Sequence, residues 1–162
     1  MSNKKTKAVD VKQWYKDKLK PLYEKNIRVA REVFGLDVIG YAYVANDDGS
    51  PHIYEANEFD WVEAHLLTPV YVDTTRERKS PRRKVMGRDV DAMYPVPDYF
   101  GCIEDAWLII RKFAEKRWDM RLICEDGEEW RCALGGSWCC EATAKTPEAA
   151  ICLAALGCVN QT

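Results

Sequence analysis

CIEDAWLIIRKFAEKRW (102–118), MRLICEDGEEWRCALGGSWCCEATAK (120–145) and TPEAAICLAALG (146–157) read in order as a helix, a three-stranded meander and a helix. In the first stretch Ile103, Ala106, Trp107, Ile110, Phe113 and Ala114 recur with the period of a helix, and Arg111, Lys112 and Lys116 fall away from that stripe. The spacing predicts an amphipathic helix over 104–118. In the second, Met120, Leu122 and Cys124, then Trp130, Cys132 and Leu134, then Trp138, Cys140 and Ala142 alternate with polar neighbours, the period of a half-buried sheet. Turns at 125–128 and 135–136 carry the glycines that tight hairpins use, so the strands are expected antiparallel in chain order. The closing helix has Thr146 as N-cap, Pro147 at its first position, Glu148 near the positive end of its dipole and Gly157 past its end.

The chain has 162 residues, a net charge of −2 and 31% charged residues. It is long enough for one core, and is neither a polycation nor an acidic tail, so an electrostatic function has to be local. The apolar runs WLII and AAICLAAL are shorter than the roughly 20 residues a membrane span needs. No apolar signal region follows the lysine-rich start, which points to the cytoplasm and away from a membrane. Of the seven cysteines, Cys132, Cys140 and Cys152 fall on apolar faces, where a reduced thiol behaves as a small hydrophobe, and no disulfide is expected.

Ahead of this module, residues 1–26 form a polar arm that becomes helical, and residues 27–162 form one α/β domain. Pro21 cannot donate to the preceding turn, so a helix over about 9–19 and another over about 22–34, ended by Gly35, are expected. Their inward residues would be Trp14, Leu19, Leu22, Ile27, Ala30, Val33 and Phe34. Residues 37–56 read as a hairpin about an Asn46 to Ser50 turn. Residues 59–67 are a helix or a loop, and residues 69–72 a short strand. Residues 74–101 read as a long exposed connection, basic at Arg76, Arg78, Lys79, Arg82, Arg83, Lys84 and Arg88 and restricted by Pro95 and Pro97. Links of that length are either functional or mobile.

Pro97-Asp98-Tyr99 before a helix bearing Ala106-Trp107, the meander, and the Thr146-Pro147-Glu148-Ala149-Ala150 start together resemble the phage ABA-sandwich domain. The resemblance is best over the C-terminal third and weaker over 27–38, with the 37–56 hairpin and the basic connection as additions. It implies a phage or prophage origin and an α/β/α sandwich in which an antiparallel meander is flanked by helices. The family brings no assigned reaction, so no catalytic residue transfers with it.

Nor do the residues assemble an evident catalytic site. His52 and His65 read as ordinary partly buried side chains, and the cysteine spacing gives no metal site, since no CxxC occurs. Cys139 points outward beside Glu141, which disfavours a reactive thiolate. The carboxylate pairs Asp47-Asp48, Glu104-Asp105 and Glu128-Glu129 serve turns and a helix start, and Gly135-Gly136 lacks the context of a phosphate loop. No cofactor is expected. Trp107, Trp130 and Trp138 read as sheet-to-helix filler. The basic connection is the best binding candidate, its arginines suited to phosphates or carboxylates and Trp61, Tyr94 and Tyr99 offering aromatic contacts. Taken with the resemblance, this describes a non-enzymatic phage accessory protein that binds a host defence protein or its nucleotide signal. A nucleic-acid-binding module in replication or gene control is the alternative, and a nucleotide-acting enzyme a more distant one.

Overall fold

A computed structural model describes residues 11–47, 50–55, 67–125, 127–135 and 140–160. Its elements are α1 (Val11–Trp14), a π-helical turn (Tyr15–Leu19), α2 (Lys20–Glu32), β1 (Asp37–Asp47), β2 (Ser50–Glu55), β3 (Leu67–Val72), β4 (Lys84–Val85), β5 (Arg88–Asp89), β6 (Met93–Pro95), α3 (Ile103–Glu115), β7 (Met120–Glu125), β8 (Glu129–Leu134), β9 (Cys140–Ala144) and α4 (Pro147–Val159). Trp61, His65, Trp138 and Cys139 lie outside the described residues.

The meander forms as its alternation requires. β7, β8 and β9 pair antiparallel in chain order, and the register sets Leu122 beside Cys132 and Cys132 beside Ala142, with Met120, Leu134 and Cys140 in the next row. This apolar face meets α4, a helix apolar on nearly every side, which also packs against α2 and α3. Most of this helix is buried, from Ala150 to Cys152 and again at Ala154, Ala155, Leu156 and Cys158, and only Leu153 among its apolar side chains is exposed, so it lies within the main core. Cys132, Cys140 and Cys152 are buried and reduced. Burial pushes the Cys132 thiol up to about 11 and the Cys152 thiol up to about 12, which keeps both neutral. Thr146 caps α4 by accepting the Ala149 amide at 3.3 Å. Gly157 does not end the helix: α4 runs on to Val159, because the apolar contacts of Leu156 and Cys158 continue past it.

Two expectations about helices are corrected. Pro21 does not separate two helices; it sits in the first turn of α2, and the π-helical turn before it keeps the helical path continuous from Val11 to Glu32. A widened turn relieves the carbonyl that a proline ring would strike and the bond it cannot make. The helix then ends in a left-handed turn: Gly35 has φ +69°, and the Leu36 amide donates to Ala30 O at 2.9 Å. Ala30 and Val33 are buried, while Trp14 is exposed. In α3 the buried residues are Ala106, Ile109 and Phe113, and Trp107 is 47% exposed. Both stripes have helical period, but the large ring lies one position off the row that meets α4.

A second sheet, ordered β2-β1-β3-β6, is antiparallel throughout. β3 divides its side chains between two cores. Tyr71 packs toward the helices, whereas Val70 and Val72 join Ala42, Val85, Ala92 and Met93 in a smaller cluster on the other face. That cluster corrects the reading of 74–101 as an exposed connection. The segment folds onto the sheet through β4, β5, a 3-10 turn (Val90–Ala92) and β6, because its basic residues are interleaved with Val85, Ala92, Met93 and Val96, all buried. The whole is a mixed α+β arrangement with antiparallel sheets, as expected.

Candidate functional site

The basic residues of 74–101 form an ordered lattice of arginines and carboxylates. The β4–β5 hairpin turns through Met86 and Gly87, with φ +50° and +76°. Two consecutive left-handed residues make the tight turn that matches strand twist, and methionine rarely takes the first place. A Cβ at Gly40 would lie 3.5 Å from the Met86 sulfur, so the turn rests on β1.

Asp89 closes the hairpin. Its side chain is fully buried and accepts from Arg78 three times: Nε at 2.9 Å, Nη2 at 3.1 Å and the backbone amide at 3.1 Å. Those bonds to Arg78 hold its carboxyl down at about 2, since a carboxylate accepting several donors resists protonation. Arg78 also pairs with Asp91. Arg88 makes a fork with Glu77, Nε to Oε1 at 2.8 Å and Nη2 to Oε2 at 3.0 Å, while Nη1 donates to Asp37 at 2.8 Å. Its guanidinium is thereby raised further above the usual arginine value, and Glu77 is held low by the same bond. Because Asp37 opens β1, Arg88 stitches the hairpin to the second sheet. Arg76 donates to the Tyr94 hydroxyl at 2.8 Å, pairs with Asp73 at 3.3 Å and lies 5.7 Å from the Tyr94 ring centre.

Of the seven basic residues, then, Arg76, Arg78 and Arg88 are structural. Lys79, Arg82 and Lys84 are exposed and make no ion pair among the described residues; Arg83 is exposed too, and its carbonyl accepts the Val90 amide at 3.2 Å. The exposed cations cluster within 79–84 on a scaffold the other three hold rigid. Tyr94 belongs to that scaffold. Tyr99 does not face outward as an aromatic contact would: it is 1% exposed and stacks on Phe34 with ring centres 5.3 Å apart, and burial raises its phenol pKa. The carboxylate partners were missed in the sequence, although Glu77, Asp89 and Asp91 interleave with the arginines and signal self-pairing.

The motif around Pro97 has an architectural task. Asn26, buried in α2, donates to Asp98 at 2.8 Å and accepts the Phe100 amide at 3.1 Å. Asp98 also accepts the Gly101 amide at 3.1 Å, and its own amide donates to Asp105 in the first turn of α3 at 2.7 Å. A Cβ at Gly101 would collide with the Asp98 carboxylate. These bonds tie α2 to the start of α3.

A family model for the phage ABA sandwich domain matches residues 27–156. The chain belongs to the phage ABA-sandwich family. The match spans most of the chain, not its C-terminal third, and the matched span includes the 37–56 hairpin and the basic segment. Membership in the family identifies a phage protein. No curated protein and no solved structure matches the chain. Among the described residues no helix is long and apolar enough to cross a membrane, and no group of three or more His, Cys, Asp and Glu is placed to hold a metal ion.

Proposed function

We propose that this phage ABA-sandwich protein is a non-enzymatic accessory protein that binds a host component through the cationic segment 79–84, which leads into the β4–β5 hairpin, and so blunts a bacterial defence. The observation that carries the reading is the division of labour among the basic residues: Arg78 and Arg88 lock the hairpin through Asp89, Glu77 and Asp37, leaving Lys79, Arg82 and Lys84 exposed in the segment that enters it. A preformed loop loses little entropy on docking, and cations on it select an acidic surface and speed encounter. The partner best suited is a host defence protein with an acidic patch. Self-neutralisation of Arg76, Arg78 and Arg88 lowers the cation density a nucleic acid would meet.

Phages carrying the intact gene, a deletion, or K79E/R82E/K84E are plated on a panel of defended hosts. The intact gene is expected to plate on at least one host where the other two fail. Equal plating of all three overturns the proposal. A retarded band in a low-salt gel shift, lost in K79E/R82E/K84E, would make nucleic acid the partner instead, since phosphate contacts release counterions and weaken with salt.

A further inference from the structure

A cleft of about 470 Å³ opens on the opposite side of β3 from the hairpin's apolar cluster, between the end of α2, β3, the Pro97 turn and α3. Its size is within the roughly 300–1,000 Å³ of small-molecule sites. Its chemistry is divided. One part is aromatic: Phe34 and Tyr99 stack nearly parallel, at 12°, and Tyr71 faces the same space. The other is α3, which lines the opening with Leu108, Arg111 and Lys112, and with Glu115 as the single carboxylate.

Neither cation of α3 is tied up in an ion pair among the described residues. Lys112 instead lies 5.4 Å from the Phe34 ring centre, at the border between the aromatic and the charged part. Arg111 is exposed one residue away. With two cations against one carboxylate the opening favours an anion, and the ring faces favour a flat, unsaturated group. The Tyr71 phenol, raised by burial and so neutral near pH 7, can donate to or accept from the edge of such a group. A purely apolar ligand would leave Arg111 and Lys112 unused, and a bare anion would leave the rings unused. A ligand carrying both parts uses the whole cleft.

We propose that this cleft binds a nucleoside phosphate, with its base against the partly exposed Phe34 and Tyr71 rings, which Tyr99 backs from the core, and its phosphate against Arg111 and Lys112. The site is separate from the 79–84 cations and independent of the host-component reading. Phe34 and Tyr99 are held there by the Gly35 turn and by the Asn26 and Asp98 bonds, so the ring layer exists before the ligand arrives.

Isothermal titration of the full chain with AMP, GMP, CMP and UMP tests it, with the corresponding nucleosides and inorganic phosphate as the half-ligands. At least one nucleotide is expected to bind one to one, and inorganic phosphate and the matching nucleoside each at least about tenfold more weakly. Arg111→Glu with Lys112→Glu is expected to weaken that nucleotide at least about tenfold while leaving the melting temperature of the free protein within about 2 °C, because both side chains reach solvent. Leu108→Trp, which fills the cleft, should abolish binding, and K79E/R82E/K84E should bind as the native chain does. The proposal fails if no mononucleotide binds at millimolar concentration. It fails equally if inorganic phosphate binds as tightly as the nucleotide, if the α3 charge reversal leaves affinity unchanged, or if the hairpin variant removes it.

Discussion

Asn26→Ala removes the one side chain that bonds both to Asp98 and to the backbone of Phe100, and its cost can be worked from the geometry. Asn26 is 2% exposed. Without it the Phe100 amide loses its acceptor at 3.1 Å, a loss of about 1–3 kcal/mol for a buried donor left unpaired. The bond to the Asp98 carboxylate at 2.8 Å is worth about 1.5–3 kcal/mol as a charge-assisted contact. Asp98 keeps the Gly101 amide at 3.1 Å, so the two contributions do not sum in full, and a net destabilisation of about 2–4 kcal/mol is expected. For a chain of this length that corresponds to a fall in Tm of about 5–15 °C. Urea unfolding of the native chain, Asn26→Ala, Asp98→Ala and the double variant measures it, and the double variant should lose about 1 kcal/mol or more less than the two singles added together. The reasoning is refuted if Asn26→Ala unfolds within about 0.5 kcal/mol of the native chain, or if the cycle is additive.

Other perturbations separate the assigned roles. Gly157 lies inside α4 with nothing within 4 Å of where a Cβ would sit, so Gly157→Ala should stabilise by about 0.5–1 kcal/mol in thermal unfolding; a loss would show that the position has a packing constraint. Trp107→Ala should cost under about 1 kcal/mol, whereas Ile109→Ala, fully buried on the same helix, should cost about 2–5 kcal/mol; the reverse order would restore Trp107 to the core. Asp89, held at about 2, has its ordinary value near 4 in the unfolded chain. Its contribution is therefore complete above about pH 4 and lost as pH falls through about 2. Acid unfolding of Asp89→Asn should have a shallower pH dependence over that window than the native chain, and identical slopes would contradict the Arg78 pairing.

The C-terminal meander and its caps were legible because each signal there is local. The alternation in 120–145 fixes which face of each strand is apolar, and Thr146-Pro147 marks the start of α4 without reference to the rest of the chain. Trp107 was misassigned because period alone leaves the phase of a helix free, and the phase is set by which row meets α4. Gly157 and Pro21 were read as helix boundaries from propensity, and long-range packing in one case and a π turn in the other overrode it. At the candidate site the sequence showed the cluster of basic residues but not its chemistry. Whether an arginine is free depends on carboxylates brought up by folding, as Asp37 is brought to Arg88 from 51 positions away. Tyr99 illustrates the same limit, since its stacking on Phe34, from the turn after α2, is a contact that only folding brings about. The cleft was not legible, because its rings and cations come from four separate segments.

The claim that the cationic segment 79–84 is the working surface is tested most directly by plating phages with the intact gene, the deletion and K79E/R82E/K84E on defended hosts, after circular dichroism has shown that the variant protein folds. The account predicts that the folded charge-reversal variant fails on the same hosts as the deletion. Plating of that variant at the level of the intact gene on every host where the deletion fails would contradict it.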